Sequence, residues 1–243
     1  MNIVTVVPAY NEGKRIGAVL SQFPTSIAGH EVSVIVVDDG STDTTSQVVK
    51  EIRNINSRIH LLRHRTNLGK GAAAKTGCDA AYKMGADVIV LMDADGQHRV
   101  EDLEAMVAPL LTVEEGLVVG SRQHSGEMPI MMRVGNKVLS HSSKMMFGIQ
   151  ARDTQSGYRA FTAKTYPKIR WVASQYAMET EMLILAVSNK IPVFEVGIPT
   201  IYLDNHKGTT PLDGIRILNT LFSWKFRIVQ QTPEVDHLLL THR

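Results

Sequence analysis

Cysteine is almost absent from this chain. Cys78 is the one thiol in 243 residues, so no intrachain disulfide can form. A reducing compartment is the natural expectation, and Cys78, set among small residues, reads as a buried structural thiol rather than a nucleophile. An excess of either charge is missing too. Lys and Arg total 26 against 24 Asp and Glu, a formal net charge of +2, so nothing global points to a nucleic-acid partner. No run reaches about 18 uninterrupted apolar residues, which argues against a transmembrane helix. The opening MNIVTVVPAYNE has no basic leader and its apolar run meets Pro8 early, so no secretory signal is expected. Internal repeats and low-complexity linkers are also lacking. Hydrophobic residues make up 44% and charged residues 21%, which suits a soluble chain with one sizeable core.

What is present is alternation. Short Val/Ile/Leu runs at 3–7, 32–39, 59–64, 87–92 and 116–122 read as buried strands. Between them lie helical stretches at 13–22, after DGSTD with Ser41 or Thr42 as cap, at 68–85, and near 100–112. The 68–85 stretch is alanine-rich, with one face small enough for tight packing. Apolar strands alternating with helices predict a single α/β domain, its mainly parallel sheet flanked by helices. Such sheets bind ligands beyond the carboxyl ends of their strands. Pro8–Glu12, Asp38–Asp43, Asn67–Lys70 and Asp93–Gln97 all follow strands and should gather at one edge. Past residue 122 the alternation fades, and 191–203 offers one or two further strands.

The stretch VIVLMDADGQH (88–98) passes from aliphatic residues straight to two carboxylates, Asp93 and Asp95. Like charges repel, so a cation should sit between them. Carboxylate oxygens are hard ligands suited to Mg²⁺ or Mn²⁺, and Mg²⁺ usually shares its shell with substrate phosphates. The bland alternative is that Asp93 or Asp95 caps the following helix. For Glu12 the bland reading is a solvated residue opening a helix, and for His98 a loop histidine bonded to backbone.

VVPAYNE, VVDDGSTD, NLGKG, LMDADGQH and GSR follow one another in this order. Together they resemble the inverting glycosyltransferases of family 2, which have the GT-A fold. Within that family the likeness is greatest to the polyprenyl-phosphate sugar transferases, the group that includes dolichyl-phosphate mannose synthase. It covers roughly residues 1–205. The resemblance implies that Pro8, Tyr10 and Glu12 line the pocket for base and ribose, with Asp38 or Asp39 holding one of them. It brings Lys70 to the nucleotide, sets Asp93, Asp95 and Gln97 around a metal, and gives Arg122 a share of the acceptor phosphate. The sequence departs from the family at Gly96, often leucine, and at Arg99, often proline. Gly96 should loosen the loop, and Arg99 has no evident role. The family's D-x-x-S-G-[FY] turn is matched by DTQSGY, which implies Asp153, Gln155, Ser156 and Gly157 near the sugar, with Arg159 on a phosphate or carboxylate. Glu179 falls where the family places an acid at a helix start, and Lys207 would close on the diphosphate. Glu181 and His206 read as structural.

Over 131–147, Arg133, Lys137, Ser140 and Lys144 recur at helical spacing, opposite a Met-rich apolar face. A solvated cationic face explains this blandly. In the resembled group a helix here carries basic residues for the acceptor phosphate, which implies that role for Arg133 and Lys137. The expected layout is a catalytic domain over 1–212, with a nucleotide half (1–122) and an acceptor half (123–212). An amphipathic helix and tail then occupy 213–243. The implied activity is transfer of a hexose, mannose or glucose, from a GDP- or UDP-activated donor to a polyprenyl (dolichyl) phosphate with inversion. Such a protein would sit on the cytoplasmic face of a membrane, directly or through a membrane partner protein. Two rivals stay open: a family 2 transferase acting on a saccharide hydroxyl, with Asp153, Glu179 or Glu181 as base, and a nucleotide-sugar-binding module without catalysis. The first turn has no Gly-x-Gly-x-x-Gly, which weakens a nicotinamide reading.

Overall fold

A computed structural model describes residues 1–122, 153–175 and 177–199. Eight strands form one sheet: β1 (Asn2–Ala9), β2 (Ser26–Ile27), β3 (His30–Asp38), β4 (Ile59–Arg63), β5 (Val88–Leu91), β6 (Leu117–Arg122), β7 (Arg159–Thr162) and β8 (Val193–Ile198). Their order is β2-β3-β1-β5-β7-β6-β8, with β4 also paired to β3. The helices are α1 (Ile16–Ser21), α2 (Thr45–Ile55), α3 (Lys70–Lys83), α4 (Leu103–Val107), α5 (Tyr166–Ile169) and α6 (Met178–Ser188).

Strand residues alternate between two cores. Val4, Val6, Ile35, Val37, Ile89 and Leu91 pack on one face, against the alanines of α3 and the apolar side of α6. Ile3, Val7, Val34, Val36, Val88 and Val90 pack on the other, against α1, α2 and α4. Because both faces are covered, the strands lack polar alternation, and the apolar runs in the sequence have this cause. Cys78 is fully buried in α3, and burial raises its thiol pKa well above the ordinary value. It is the inert thiol expected.

Several boundaries differ from expectation. β1 runs through Pro8 to Ala9 instead of stopping. Pairing with β5 ends at Val6↔Leu91, so Pro8 has a strand neighbour on one side only, where a missing N–H is tolerated. α2 is capped by neither Ser41 nor Thr42; Asp43 Oδ1 accepts from the Thr45 N–H at 2.9 Å. The single helix expected near 100–112 is broken into a 3₁₀ turn, the short α4, and a second 3₁₀ turn containing Pro109. The sheet is parallel except at β2 and β7. β7, which follows the DTQSGY turn directly, has no counterpart among the expected strands and lies antiparallel between β5 and β6.

Candidate active site

The four loops expected to meet are stitched together in series. Asn11 N–H donates to Ser41 Oγ and Gly13 N–H to Asp43 Oδ2, which joins the loop after β1 to the loop after β3. Asp39 then reaches the third loop. Its Oδ1 accepts from Leu68 N–H at 2.9 Å and its Oδ2 from Gly69 N–H at 2.8 Å, while His64 Nδ1 lies 2.7 Å from Oδ1. Lys70, the next residue, crosses to the fourth loop, with Nζ 2.8 Å from Asp93 Oδ1 and 2.9 Å from Oδ2.

The cation beside the first carboxylate of the Asp-x-Asp pair is therefore Lys70. Glu179, in the first turn of α6, meets the same ammonium at 3.1 Å through Oε1. Burial alone would lower the Lys70 pKa, but Asp93 and then Glu179 more than reverse this and push it up. Burial likewise opposes charge on Asp93, yet Lys70, helped by His98, holds that carboxyl well below the usual range. Asp95 goes the other way, raised by burial and then by the negative charge of Asp93. One carboxylate is neutralised and its neighbour is still short of positive charge.

The loop after Asp93 is a tight turn. Asp95 Oδ1 accepts from the Gln97 N–H at 3.0 Å. Gly96 has φ 76°, which a leucine would adopt only under strain, so the glycine here meets a turn requirement and does not merely loosen the loop. His98 is buried against the Tyr158 ring, with Nε2 3.7 Å from Asp93 Oδ2. Its Nδ1 has no hydrogen-bond partner among the described residues, so the expected pairing with backbone is absent there. Arg99 is exposed and lies 3.5 Å from Glu101, a surface ion pair.

The segment after residue 152 packs onto this cluster. Gly157 approaches so closely that a Cβ would stand 2.6 Å from Asp93 Oδ2 and 2.8 Å from Lys70 Nζ. Asp153 receives a bidentate pair from Arg122, with Nε 2.6 Å from Oδ2 and an Nη 2.9 Å from Oδ1. Burial would raise the Asp153 pKa, but the Arg122 bonds outweigh it and lower it. Gln155 Nε2 donates to Thr180 Oγ1 at 2.7 Å, fixing the turn to α6. Arg159, fully buried, donates to the backbone carbonyls of Ser156, Glu179 and Thr154. It braces the turn from inside, where the resemblance implied a phosphate or carboxylate contact.

The resemblance implied that Asp38 or Asp39 holds the base or ribose. Both are buried, and the bonds they make are structural: Asp38 accepts from Ser41 N–H and Ser46 Oγ. Glu12 is likewise buried, not solvated, and its N–H donates to Thr45 Oγ1. Tyr10 is 45% exposed beside these loops, and Pro8 lies within β1. Glu181 accepts from the Val172 and Ala173 N–H groups, a structural role in line with its reading. Two contacts have no signature in the sequence: His64 spans Asp39 and Thr76, and Trp171 donates to the Gly71 carbonyl. These contacts join residues distant in the chain, and no local motif marks them. Arg133, Lys137, His206 and Lys207, with the 131–147 and 213–243 stretches, lie outside the described residues.

Asp93, Asp95 and Gln97 fit a hard divalent cation. Among the described residues no group of three or more His, Cys, Asp or Glu is arranged to ligate a metal by itself. Two carboxylates and an amide leave coordination positions for phosphate oxygens and water, the usual habit of Mg²⁺. The raised pKa of Asp95 marks a place where an added positive charge is stabilising.

The chain is similar to known proteins along most of its length. A UDP-N-acetylglucosamine–dolichyl-phosphate N-acetylglucosaminyltransferase of Methanococcus voltae is 34% identical over 244 residues, spanning 92% of this chain and 96% of that protein. A polyprenol monophosphomannose synthase of Mycolicibacterium smegmatis is 29% identical, spanning 90% and 84%. Among solved structures, glucosyl-3-phosphoglycerate synthase of Mycobacterium tuberculosis, crystallised with Mn²⁺, UDP-glucose and phosphoglyceric acid, superposes with a TM-score of 0.67 at 23% identity, covering 93% and 80% of the two chains. That likeness is one of fold, a mixed-sheet α/β domain of the GT-A type. The model of Glycosyl transferase family 2 matches residues 4–167, and to that family this chain belongs.

Proposed function

We propose that this protein is a divalent-metal-dependent, inverting glycosyltransferase that moves a hexosyl or N-acetylhexosaminyl group from a nucleotide sugar to a polyprenyl phosphate. The acceptor class is supported by likeness along nearly the whole length of relatives named for transfer to dolichyl or polyprenyl phosphates. The sugar expected from the sequence, mannose or glucose, is widened here because one of those relatives is named for N-acetylglucosamine.

One feature of the site favours a phosphate acceptor over a sugar hydroxyl. A hydroxyl acceptor needs a general base. The three carboxylates considered for that task are already engaged: Asp153 by Arg122, Glu179 by Lys70, and Glu181 by two backbone amides. A phosphomonoester is ionised near neutral pH, with a second pKa of about 6, and needs no base. In the reaction an acceptor oxygen bonds to the anomeric carbon from the face opposite the diphosphate. The bond to the diphosphate breaks, and its electron pair leaves with the nucleotide. Negative charge grows on that leaving group, and the Lys70 ammonium is the protein's own positive charge to meet it. Asp93, Asp95 and Gln97 would hold a divalent ion, whose chemistry would be to supply further positive charge to the leaving group. The resident cation is Mg²⁺ or Mn²⁺, and the site of action is the cytoplasmic surface of a membrane.

The test is transfer of labelled sugar from UDP-N-acetylglucosamine, UDP-glucose or GDP-mannose into the organic phase, with polyprenyl phosphate and Mn²⁺ or Mg²⁺. One donor should label the lipid, and excess chelator should abolish this. Label appearing only on a water-soluble saccharide, or full turnover in chelator, overturns the proposal.

A further inference from the structure

Three carboxylates, Asp93, Asp95 and Glu179, share this corner of the site with the Lys70 ammonium. Their formal balance is two negative charges, which one divalent cation would cancel. The ammonium is not shared evenly. It covers both oxygens of Asp93, at 2.8 and 2.9 Å. Glu179 offers it only Oε1, at 3.1 Å, while the buried Oε2 has no hydrogen-bond partner among the described residues. Gly157 closes another side, leaving less room than a methyl group needs beside Nζ. A movement of Lys70 toward Glu179 would give that second oxygen the donor it lacks.

We propose that Lys70 is a built-in placeholder for the metal: it covers Asp93 in the ligand-free protein and shifts to Glu179 and the donor's phosphates when metal and nucleotide bind. The inference rests on the donor-site reading above and extends it. A cation tethered beside Asp93 competes at high effective concentration, so the metal alone binds weakly. A nucleotide diphosphate gives the ammonium new anionic partners and frees Asp93. Metal and donor therefore bind cooperatively, each strengthening the other by the same factor.

The experiment measures free Mn²⁺ by electron paramagnetic resonance during titration of the full chain, with and without UDP. In the wild type, UDP should tighten Mn²⁺ binding at least about tenfold, the smallest effect a single adjacent charge usually has on a carboxylate. Lys70→Met should bind Mn²⁺ alone at least about tenfold more tightly than wild type and lose most of the UDP enhancement. Lys75→Met, in the same helix but acting on Asp79 and Glu181, should change neither. Glu179→Gln removes the second seat. It should weaken Mn²⁺ binding, and only while Lys70 is present. If Lys70→Met fails to fold by circular dichroism, Glu179→Gln alone must still weaken Mn²⁺ binding and reduce the UDP enhancement. Unchanged Mn²⁺ affinity in a folded Lys70→Met, or an equal Glu179→Gln effect in both backgrounds, overturns the placeholder. If these shifts appear but no sugar reaches a polyprenyl phosphate, the assigned reaction fails and the placeholder stands. Normal transfer with unshifted Mn²⁺ affinities is the reverse case.

Discussion

Gly157 owes its place to what it lacks. A methyl group there would intrude on Asp93 Oδ2 and Lys70 Nζ, and both atoms end flexible side chains. Gly157→Ala should therefore leave the fold intact and disturb the site. The expected loss in kcat/KM is about 100-fold, the scale of a misplacement near 1 Å. Unchanged kinetics beside an unchanged melting temperature would show that the pair has more freedom than its packing implies. Asp39 is the opposite case. Its carboxylate serves two backbone amides and His64 while almost fully buried. Asp39→Ala leaves those donors unpaired and should cost about 3 kcal/mol. Urea denaturation would read this as a lower midpoint at unchanged slope. Wild-type stability of the variant would show that these bonds do not hold the 67–69 loop.

The turn at 153–157 is clamped from two strands. Arg122 holds Asp153 from the end of β6, and Arg159 holds the turn's carbonyls from the start of β7. The Asp153 pKa is lowered in the folded protein because the Arg122 bonds outweigh burial. Its contribution to stability is thus complete above the unfolded value, about 3.9 for aspartate, and is lost as pH falls from there toward the folded pKa. The melting temperature of wild type should exceed that of Asp153→Asn at pH 6, and the gap should close in the acid range. A gap independent of pH would mean that the pair adds nothing through charge. This clamp also marks how far the sequence could be read. β1, β3, β5 and β6 were legible because each carries a run of apolar residues buried on both faces, and β4, only partly buried, through the apolar residues Ile59, Leu61 and Leu62. β7 was not, because it has four residues and opens on Arg159, a charge whose burial depends on carbonyls from 154, 156 and 179. The strand-end loops were legible as a group through their carboxylates. Which partner each carboxylate takes was not, since Asp38, Asp39 and Asp93 look alike in the sequence and are told apart by partners distant in the chain: Ser46 for Asp38, Leu68 and Gly69 for Asp39, Lys70 for Asp93.

A protein that modifies a lipid phosphate must reach the bilayer. None of the helices among the described residues is long and apolar enough to cross a membrane. We propose surface attachment. The sequence offers one basis for it in 131–147, where Arg133, Lys137 and Lys144 recur at helical spacing beside methionines. Each basic residue near an anionic surface contributes about 1 kcal/mol, so two or three give reversible attachment rather than anchoring. Screening shortens the reach of such charges to about 10 Å at 0.1 M salt. The protein should cosediment with anionic phosphatidylserine vesicles at low salt and be released at high salt. Arg133→Glu combined with Lys137→Glu should abolish cosedimentation and cut transfer to polyprenyl phosphate. UDP binding measured by calorimetry should stay unchanged, because the loops stitched around Lys70 and Asp93 contain neither residue. Normal glycosylation of polyprenyl phosphate by the double variant would move the acceptor phosphate elsewhere and leave Arg133 and Lys137 as ordinary surface charges.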